Sequence, residues 1–378
     1  MSKFDNAMRR QVFSLPELIK QQYEDLEPKT RKVLTTPEIF SAQRIVLVGC
    51  GDSYAAAMAA KNIFELLTGI PTEVVTALEL SRYYDRKQLG FSPLNPLVIA
   101  VSNSGGVARV AEAVQRAKKY GAFVLGVTGN VESLLAKSSD RILKLDIPSF
   151  ESAPGIRSYM VSVMSLLLLA IRIGEVRGRY TMDQAMDYRY DIASQADELG
   201  KLLPEMDEKM EVVSKQWKDF PAFDFVGAGF DYAAAWFGQA KILEATGKFA
   251  MHINSEEWFH LNFFARKAKE IGTVIVANTT NPADSRNKEL VYYANKLGRP
   301  MIVITDGGKE DFEVDTTYIK VPKTKYQITM PLTQYAPTCL LAGYISEMTG
   351  EEYGRGCKDE WSFAEGGACV QNSKIIVE

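Results

Sequence analysis

Val48-Gly-Cys-Gly-Asp-Ser-Tyr-Ala-Ala-Ala57 is followed 178 residues later by Val226-Gly-Ala-Gly-Phe-Asp-Tyr-Ala-Ala-Ala235, and the two stretches agree at seven of ten positions. Two further blocks recur in the same order at offsets of 176 and 177 residues: Val98–Asn103 with Val274–Thr279, and Gly121–Gly129 with Gly298–Gly307. Three blocks at nearly constant spacing predict two copies of one domain.

Each copy has the pattern of an α/β unit. Short apolar runs at Ile45–Val48, Leu97–Val101 and Phe123–Val127 alternate with longer amphipathic stretches at Tyr54–Leu67 and Val107–Tyr120. Fully apolar strands that alternate with helices indicate a parallel sheet covered on both faces. Ligands of such sheets bind outside the carboxyl ends of the strands, so the loops that follow the strands are the candidate site.

The repeat also divides the chain. We expect an N-terminal helical arm at 1–30, a first domain that binds phosphate at 31–180, a helical connector at 181–218, a second domain that carries acid–base residues at 219–350, and a tail at 351–378.

Composition excludes several classes of protein. The 378 residues contain 44 Lys plus Arg against 47 Asp plus Glu, without a basic run, which argues against nucleic-acid binding. The apolar run Tyr159–Ile171 is shorter than the roughly 20 residues that span a bilayer, so we expect a buried core helix and no membrane partner. Four cysteines without a CxxC pair and two histidines predict no metal and a reducing, cytoplasmic setting.

Ser102-Asn-Ser-Gly-Gly106 follows a predicted strand and opens a predicted helix. Unpaired N–H groups, hydroxyls and an amide at such a place suit a phosphate group, although a serine cap with a glycine turn would have the same pattern. Ser53 should face the same crevice. The counterpart Asn278–Pro282 has lost the glycines, which suggests one phosphate site per chain. Tyr54 stands where a dinucleotide fingerprint needs its third glycine, so a nicotinamide enzyme is not expected.

The second copy carries candidate acids and bases. Lys241 and Glu244 lie one turn apart on a predicted helix, and a capping box that ends at Glu257 opens a second helix that holds His260. A buried carboxylate could move a proton between carbon atoms. The alternatives are a surface ion pair at Lys241 and Glu244, a cap at Glu257, and a packed ring at His260.

These motifs resemble the sugar isomerase (SIS) domain. The tandem copies are similar to the isomerase half of glucosamine-6-phosphate synthase and to fructosamine-6-phosphate deglycases, and Met8–Ile19 is similar to the arm before that half. The resemblance implies two flavodoxin-like, doubly wound domains and an enzyme without a metal or organic cofactor. It also implies a sugar-phosphate ligand and a homodimer in which His260 reaches the neighbouring subunit's site.

The resemblance also implies residue roles. Glu244 would move a proton between sugar carbons, His260 would assist as an acid, and Lys241 and the tail residue Lys374 would be further catalytic groups. The alternative for Lys374 is an ordinary solvated residue of the tail. The sugar phosphate would be held by Ser53, Ser102, Asn103, Ser104 and Gly105, with possible contacts from Asp52, Arg157 and Ser158.

Four positions depart from the family pattern. Val107 stands in place of a threonine, Phe237 in place of a glutamate, and Leu261 and Asn262 in place of glycine and proline. With a length that leaves no room for a glutaminase domain, we expect cleavage of a fructosamine 6-phosphate to hexose 6-phosphate and free amine. The alternatives are a glucosamine-6-phosphate deaminase or isomerase and a phosphosugar sensor without catalysis.

Overall fold

A computed structural model describes residues 4–90 and 94–378, which divide into two compact units. The first-sheet unit consists of Ile19–Ser149, Ser158–Ala193 and Cys357–Glu378. The second-sheet unit consists of residues 4–18, Phe150–Arg157 and Ser194–Gly356.

Strands of the described residues form one parallel sheet in each unit. They are β1 (Ile45–Gly49), β2 (Thr72–Thr76), β3 (Leu97–Val101), β4 (Phe123–Thr128), β5 (Arg141–Lys144), β6 (Ala222–Gly227), β7 (Phe249–Asn254), β8 (Ile271–Val276), β9 (Met301–Thr305) and β10 (Thr317–Lys320). The first sheet has the order β2-β1-β3-β4-β5 and the second the order β7-β6-β8-β9-β10. Both are the flavodoxin-like doubly wound order, which confirms the predicted α/β fold.

The α-helices vary greatly in length. They are α1 (Ala7–Phe13), α2 (Leu15–Lys32), α3 (Thr36–Ser41), α4 (Asp52–Thr68), α5 (Ala108–Lys119), α6 (Leu134–Ser138), α7 (Arg157–Val176), α8 (Met182–Trp217), α9 (Tyr232–Thr246), α10 (Ser255–His260), α11 (Asp284–Lys296), α12 (Lys309–Phe312), α13 (Ala336–Thr349) and α14 (Ala368–Gln371). A π-helical turn covers Glu79–Tyr83. Short 3₁₀ or irregular turns cover Arg86–Gln88, Gly229–Asp231, Asn262–Phe264, Ala268–Glu270, Gln327–Leu332, Tyr353–Cys357 and Asp359–Gly367.

The central strands form the core of each unit. Every residue of β1, β3 and β4 is buried, and so is every residue of β9. Strands with no exposed face read as continuous apolar runs, which is why the sequence predicted them without alternation.

The apolar helix α7 contains the run that we expected in a core. It is long and apolar enough to cross a membrane, with a mean hydropathy of 1.7 over its most apolar window, and 83% of that window is buried in the fold. That burial fits the core helix that we predicted.

Residues 4–18 of the N-terminal arm pack within the second-sheet unit. Arg9 donates from Nη2 to Oδ2 of Asp207 at 2.7 Å, and the Tyr344 hydroxyl donates to Oδ1 of the same carboxylate at 2.6 Å. This group joins α1, α8 and α13.

A glycine at the end of the first strand of each sheet lets the following helix approach closely. A Cβ on Gly49 would lie 2.7 Å from the carbonyl carbon of Ser53, and a Cβ on Gly227 would lie 2.7 Å from the carbonyl oxygen of Asp231. Two residues later, Gly51 and Gly229 both have φ of +55°, which L side chains rarely adopt. The repeated glycines therefore serve the same turn in both copies.

We predict that Gly49→Ala lowers the stability of the first-sheet unit by about 1–3 kcal/mol, because the added methyl group must push α4 away from β1. Thermal denaturation followed by circular dichroism measures the change. Gly200→Ala is the control, since its Cβ would meet only ordinary contacts at 3.8 Å inside α8 and should leave the melting temperature unchanged or raise it. Equal melting temperatures for Gly49→Ala and the wild type would contradict the close approach.

Candidate active site

The strand order of the first sheet reverses direction between β1 and β3. At such a switch point the two following loops diverge and leave a crevice at the carboxyl edge of the sheet. The loop after β1 leads to Asp52 and Ser53, both half-buried in the first turn of α4, and the loop after β3 is Ser102–Gly106. The sheet topology therefore carries the predicted phosphate residues to the place where ligands of this fold bind.

The loop Ser102–Gly106, which we call the serine loop, turns so that its middle residues are exposed. Ser102 is buried, and its Oγ accepts a hydrogen bond from the backbone N–H of Gly105 at 3.2 Å. Asn103 and Ser104 are exposed. α5 starts at Ala108 behind Val107, which offers no side-chain cap, so the first N–H groups of the helix are left to other acceptors.

Contacts beneath the loop fix its shape. Gly105 has φ of +64°, and a Cβ there would lie 2.1 Å from Oγ of Ser133. The carbonyl of Asn103 accepts the N–H of Gly129 at 2.9 Å. Gly105 is thus needed for the turn itself, and the loop has a fixed backbone.

Arg157 and Ser158 lie in different units. In the second-sheet unit, Nη1 of Arg157 donates to Oγ of Ser14 at 2.6 Å, and its guanidinium carbon lies 4.5 Å from the centroid of the Phe150 ring. Burial lowers the pKa of Arg157. Ser158, in the first-sheet unit, accepts the hydroxyl of Ser162 at its carbonyl oxygen. Their contact with a substrate stays a prediction.

The corresponding crevice of the second sheet contains a carboxylate of the chain itself. Asp231, which aligns with Ser53, is buried. Asn278, which aligns with Ser102, donates to it from Nδ2 at 2.6 Å and from its backbone N–H at 3.1 Å. Asn281, which aligns with Gly105, donates from Nδ2 at 2.8 Å. Asn278 and Asn281, at positions equivalent to those of the serine loop, therefore point inward and hydrogen-bond to a buried carboxyl group of the chain.

The burial of Asp231 has an electrostatic cost. Burial raises its pKa from 3.8 to about 7, and the hydrogen bonds from Asn278 and Asn281 offset part of that rise. Gln334 connects this cluster to the turn before α9, because it accepts from Asn278 at 2.6 Å and donates to the carbonyl of Phe230 at 2.7 Å.

Lys241 and Glu244 form an ion pair on α9. The side chain of Lys241 is 0% exposed, that of Glu244 is 44% exposed, and Nζ lies 2.6 Å from Oε2. The ammonium group also lies 4.6 Å from the centroid of the Phe237 ring. The ordinary surface pair that we considered is therefore excluded for Lys241, whose charge is buried beneath the carboxylate.

His260 ends α10 with its side chain 64% exposed. Its Nε2 lies 3.2 Å from Oε1 of Glu256, whose pKa is lowered by the hydrogen bond from Arg286. The packed ring that we considered for His260 is not found. His252, on β7, is the half-buried histidine, and its Nδ1 lies 2.6 Å from Oε1 of Gln239.

Asn262, one of the departures from the family pattern, has a structural role. It is buried, and its Nδ2 donates to Oδ1 of Asp224 at 2.7 Å, while its carbonyl accepts from Nη2 of Arg299. Leu261 beside it is 62% exposed. The residues after His260 thus form a turn tied to β6.

Lys374 lies in the tail of the first-sheet unit. Its side chain is exposed, and its carbonyl oxygen accepts from Nη2 of Arg109 on α5, the helix that follows the serine loop. In the described residues, no group of three His, Cys, Asp or Glu side chains is arranged to hold a metal ion.

Two functional features were missed from the sequence. The internal carboxylate at Asp231 could have been suspected, because an acid replaces a serine in the repeat just where Asn278 replaces another serine. The contacts of the tail with Arg109 had no sequence signal.

The chain is similar to proteins of known family and known structure. Residues 38–172 match the SIS domain family. The C-terminal domain of glucosamine-fructose-6-phosphate aminotransferase from Francisella tularensis has the same fold, with a TM-score of 0.82 at 18% identity over 93% of this chain and 99% of that chain. Residues 38–172 thus match the SIS domain family, and the chain has the fold of two tandem SIS domains.

Two further proteins are similar to this chain. Glutamine–fructose-6-phosphate aminotransferase of Thermotoga maritima is 27% identical over 314 residues, which are 82% of this chain and 50% of the relative. The chain spans about half the length of the curated relatives that it matches. Glucosamine-6-phosphate deaminase of Thermotoga maritima has a TM-score of 0.62 at 21% identity, over 89% of this chain and 95% of that chain.

We predict that Asp231 makes the second-sheet unit less stable as pH rises. Its pKa of about 7 in the fold exceeds the unfolded value of 3.8, so the folded state holds the proton more tightly. The resulting stabilisation is complete below pH 4 and is lost as pH rises to about 7, on the order of a few kcal/mol. Asp231→Asn removes this titration.

Urea denaturation of both proteins between pH 4.5 and 7.5 measures the effect. The stability of the wild type relative to Asp231→Asn should fall across that range. Asp219→Asn, at a position that is 79% exposed, is the control and should follow the wild type. Parallel curves for Asp231→Asn and the wild type would show that the carboxylate does not carry a raised pKa.

Proposed function

We propose that the chain is a sugar-phosphate enzyme that cleaves a fructosamine 6-phosphate to hexose 6-phosphate and a free amine. The observation that carries this proposal is the Lys241–Glu244 pair, in which a buried ammonium group holds an exposed carboxylate at 2.6 Å. An ordinary surface salt bridge does not require a completely buried lysine. A nearby ammonium group favours the ionised form of a carboxylate, which a catalytic base must keep.

The serine loop would hold the phosphate group. Its exposed Asn103 and Ser104, with Ser53 in the first turn of α4, offer neutral donors at the start of two helices. Such donors bind a phosphate dianion through backbone and side-chain hydrogen bonds. The second sheet has filled the equivalent place with Asp231, which supports one phosphate site per chain.

Glu244 would act on the other end of the sugar. In a fructosamine 6-phosphate the amine is bound to C1 and the carbonyl is at C2. Glu244 takes a proton from C1 and returns one to C2, while the C2 oxygen gains a proton and the nitrogen gives one up, which converts the ketone–amine into an imine at C1 with a hydroxyl group at C2. Water then adds to C1, the C1–N bond breaks, and the amine leaves with a proton that His260 supplies and recovers from the added hydroxyl group as the aldehyde forms. Substrate and water thus account for all atoms of the two products, and no redox cofactor is required.

We propose that the protein works as a homodimer in the cytoplasm, with sites shared between subunits. The serine loop and Glu244 belong to different units, and His260 is 64% exposed in the single chain. A side chain so open to solvent is available to a second subunit. The oligomeric state can be read directly by analytical ultracentrifugation.

A second candidate is the deamination of glucosamine 6-phosphate. The Lys241–Glu244 pair suits any proton transfer between C1 and C2, and a structural neighbour bears the name glucosamine-6-phosphate deaminase. The two reactions differ in their amine product, which is ammonia for the second.

We predict that Glu244→Gln lowers kcat by about 100-fold or more, because the amide cannot accept the proton. The matched control is Glu198→Gln on α8. Glu198 is 46% exposed and pairs with Lys201 at 2.6 Å with the same three-residue spacing. Wild-type kcat in Glu244→Gln would show that another group is the base.

Product analysis by mass spectrometry identifies the reaction. The purified chain is incubated with amino-acid and simple amine adducts of fructose 6-phosphate, and separately with glucosamine 6-phosphate. Release of an intact amine supports the deglycase, whereas ammonia from glucosamine 6-phosphate alone favours the deaminase. Binding of fructose 6-phosphate without any turnover would contradict both and indicate a phosphosugar sensor.

A further inference from the structure

The last residues of the chain are bound along α5. Nη2 of Arg109 donates to the carbonyl of Lys374 and lies 3.4 Å from Oγ of Ser373. The backbone N–H of Ile376 donates to Oε2 of Glu112 at 2.6 Å. Farther along the helix, the hydroxyl of Tyr120 donates to the carbonyl of Glu378 at 2.9 Å. These contacts follow the helix from its first turn to its end.

The centre of these contacts is a buried carboxylate between two arginines. The side chain of Glu112 is 0% exposed and accepts from Nε of Arg82 and from Nη1 of Arg109, each at 2.6 Å. Burial opposes the charge of Glu112, but the hydrogen bonds from Ile376 and Arg82 and the charge of Arg109 hold its pKa below the ordinary value. We call Arg82, Arg109 and Glu112 the tail clamp.

The tail clamp lies next to the serine loop. Arg109 is in the first turn of α5, three residues after Gly106. The side chain of Gln371, within the C-terminal tail, comes within 3.8 Å of the place that a Cβ on Gly106 would occupy. The tail therefore passes the candidate phosphate site before it reaches the clamp.

We propose that Arg109 and Glu112 are positioning residues that hold the tail against α5 and thereby fix Lys374 beside the serine loop. Arg109 binds the carbonyl of Lys374, and Glu112 binds the backbone N–H of Ile376. These two contacts fix the backbone from Lys374 to Ile376, while the side chain of Lys374 stays exposed. The role of Lys374 rests on the proposed function. The attachment of the tail does not.

Glu112 accepts a backbone N–H of the tail in addition to two guanidinium groups, and a carboxylate can take that number of donors. Arg109 and Glu112 each bind the tail from α5, and Arg82 pairs with Glu112 from the turn Glu79–Tyr83. The clamp thus links the position of the tail to the helix that starts at the phosphate loop.

Hydrogen–deuterium exchange tests the attachment without any substrate. We expect Arg109→Met and Glu112→Gln to raise the exchange rate of the C-terminal peptide 373–378 at least 10-fold, with the peptides of β3 and β4 unchanged. Glu132→Gln, at an 81% exposed position of the same unit, is the matched control. Wild-type protection of the tail peptide in both variants would overturn the clamp.

A double-mutant cycle with a chain that ends at residue 372 tests positioning against a general structural role. In the full chain, Arg109→Met should lower kcat at least 10-fold and change KM less than 3-fold. In the shortened chain, Arg109→Met should cause no further loss, because its effect passes through the tail. An equal loss in both chains would overturn the positioning role.

The two experiments separate the two proposals. If no substrate of the panel is turned over while the variants release the tail, the proposed function fails and the clamp stands. If turnover occurs and the tail stays protected in both variants, the proposed function stands and the clamp fails.

Discussion

The close contact between the first strand of each sheet and the helix that follows it is the constraint on which the rest of the molecule depends. At Gly49 and Gly227 no Cβ fits, and the backbone of the next helix occupies that space. This contact aims the first turn of α4 and of α9 at the carboxyl edge of the sheet. The reversal of strand order beside it opens a crevice there, so the fold provides the same place for an anion twice.

The two copies differ at the position where Ser53 of the first copy aligns with Asp231 of the second. Ser53 is small and neutral, whereas Asp231 is an acid that Asn278 and Asn281 bind inside the fold. An internal carboxylate satisfies the donors that would otherwise face a ligand. We infer that the second copy exchanged anion binding for a fixed framework beneath α9, the helix that carries Lys241 and Glu244. One copy would thus bind the phosphate group and the other would carry the base.

The repeated glycines and apolar runs were enough to predict two copies of a parallel sheet covered on both faces, because strands buried on both faces leave a continuous signal in the sequence. The doubly wound order came from the resemblance to the SIS domain. The same reasoning found the serine loop and the helix with Lys241 and Glu244. It did not find that Lys241 is wholly buried or that Asp231 is bound by distant side chains, since both depend on where separate elements meet. Arg109 and Glu112 are more than 250 residues from the tail residues Ser373, Lys374 and Ile376 that they bind, and no local pattern connects them.

The division of roles between the two copies fixes the number of sugar phosphates that one chain binds. Isothermal titration of fructose 6-phosphate into the purified protein measures this number. We predict one site per chain, which Ser104→Ala weakens about 10-fold or more and which Thr280→Ala, the equivalent change in the second copy, leaves intact. Two sites per chain, or equal losses from the two substitutions, would contradict the division of roles between the two copies.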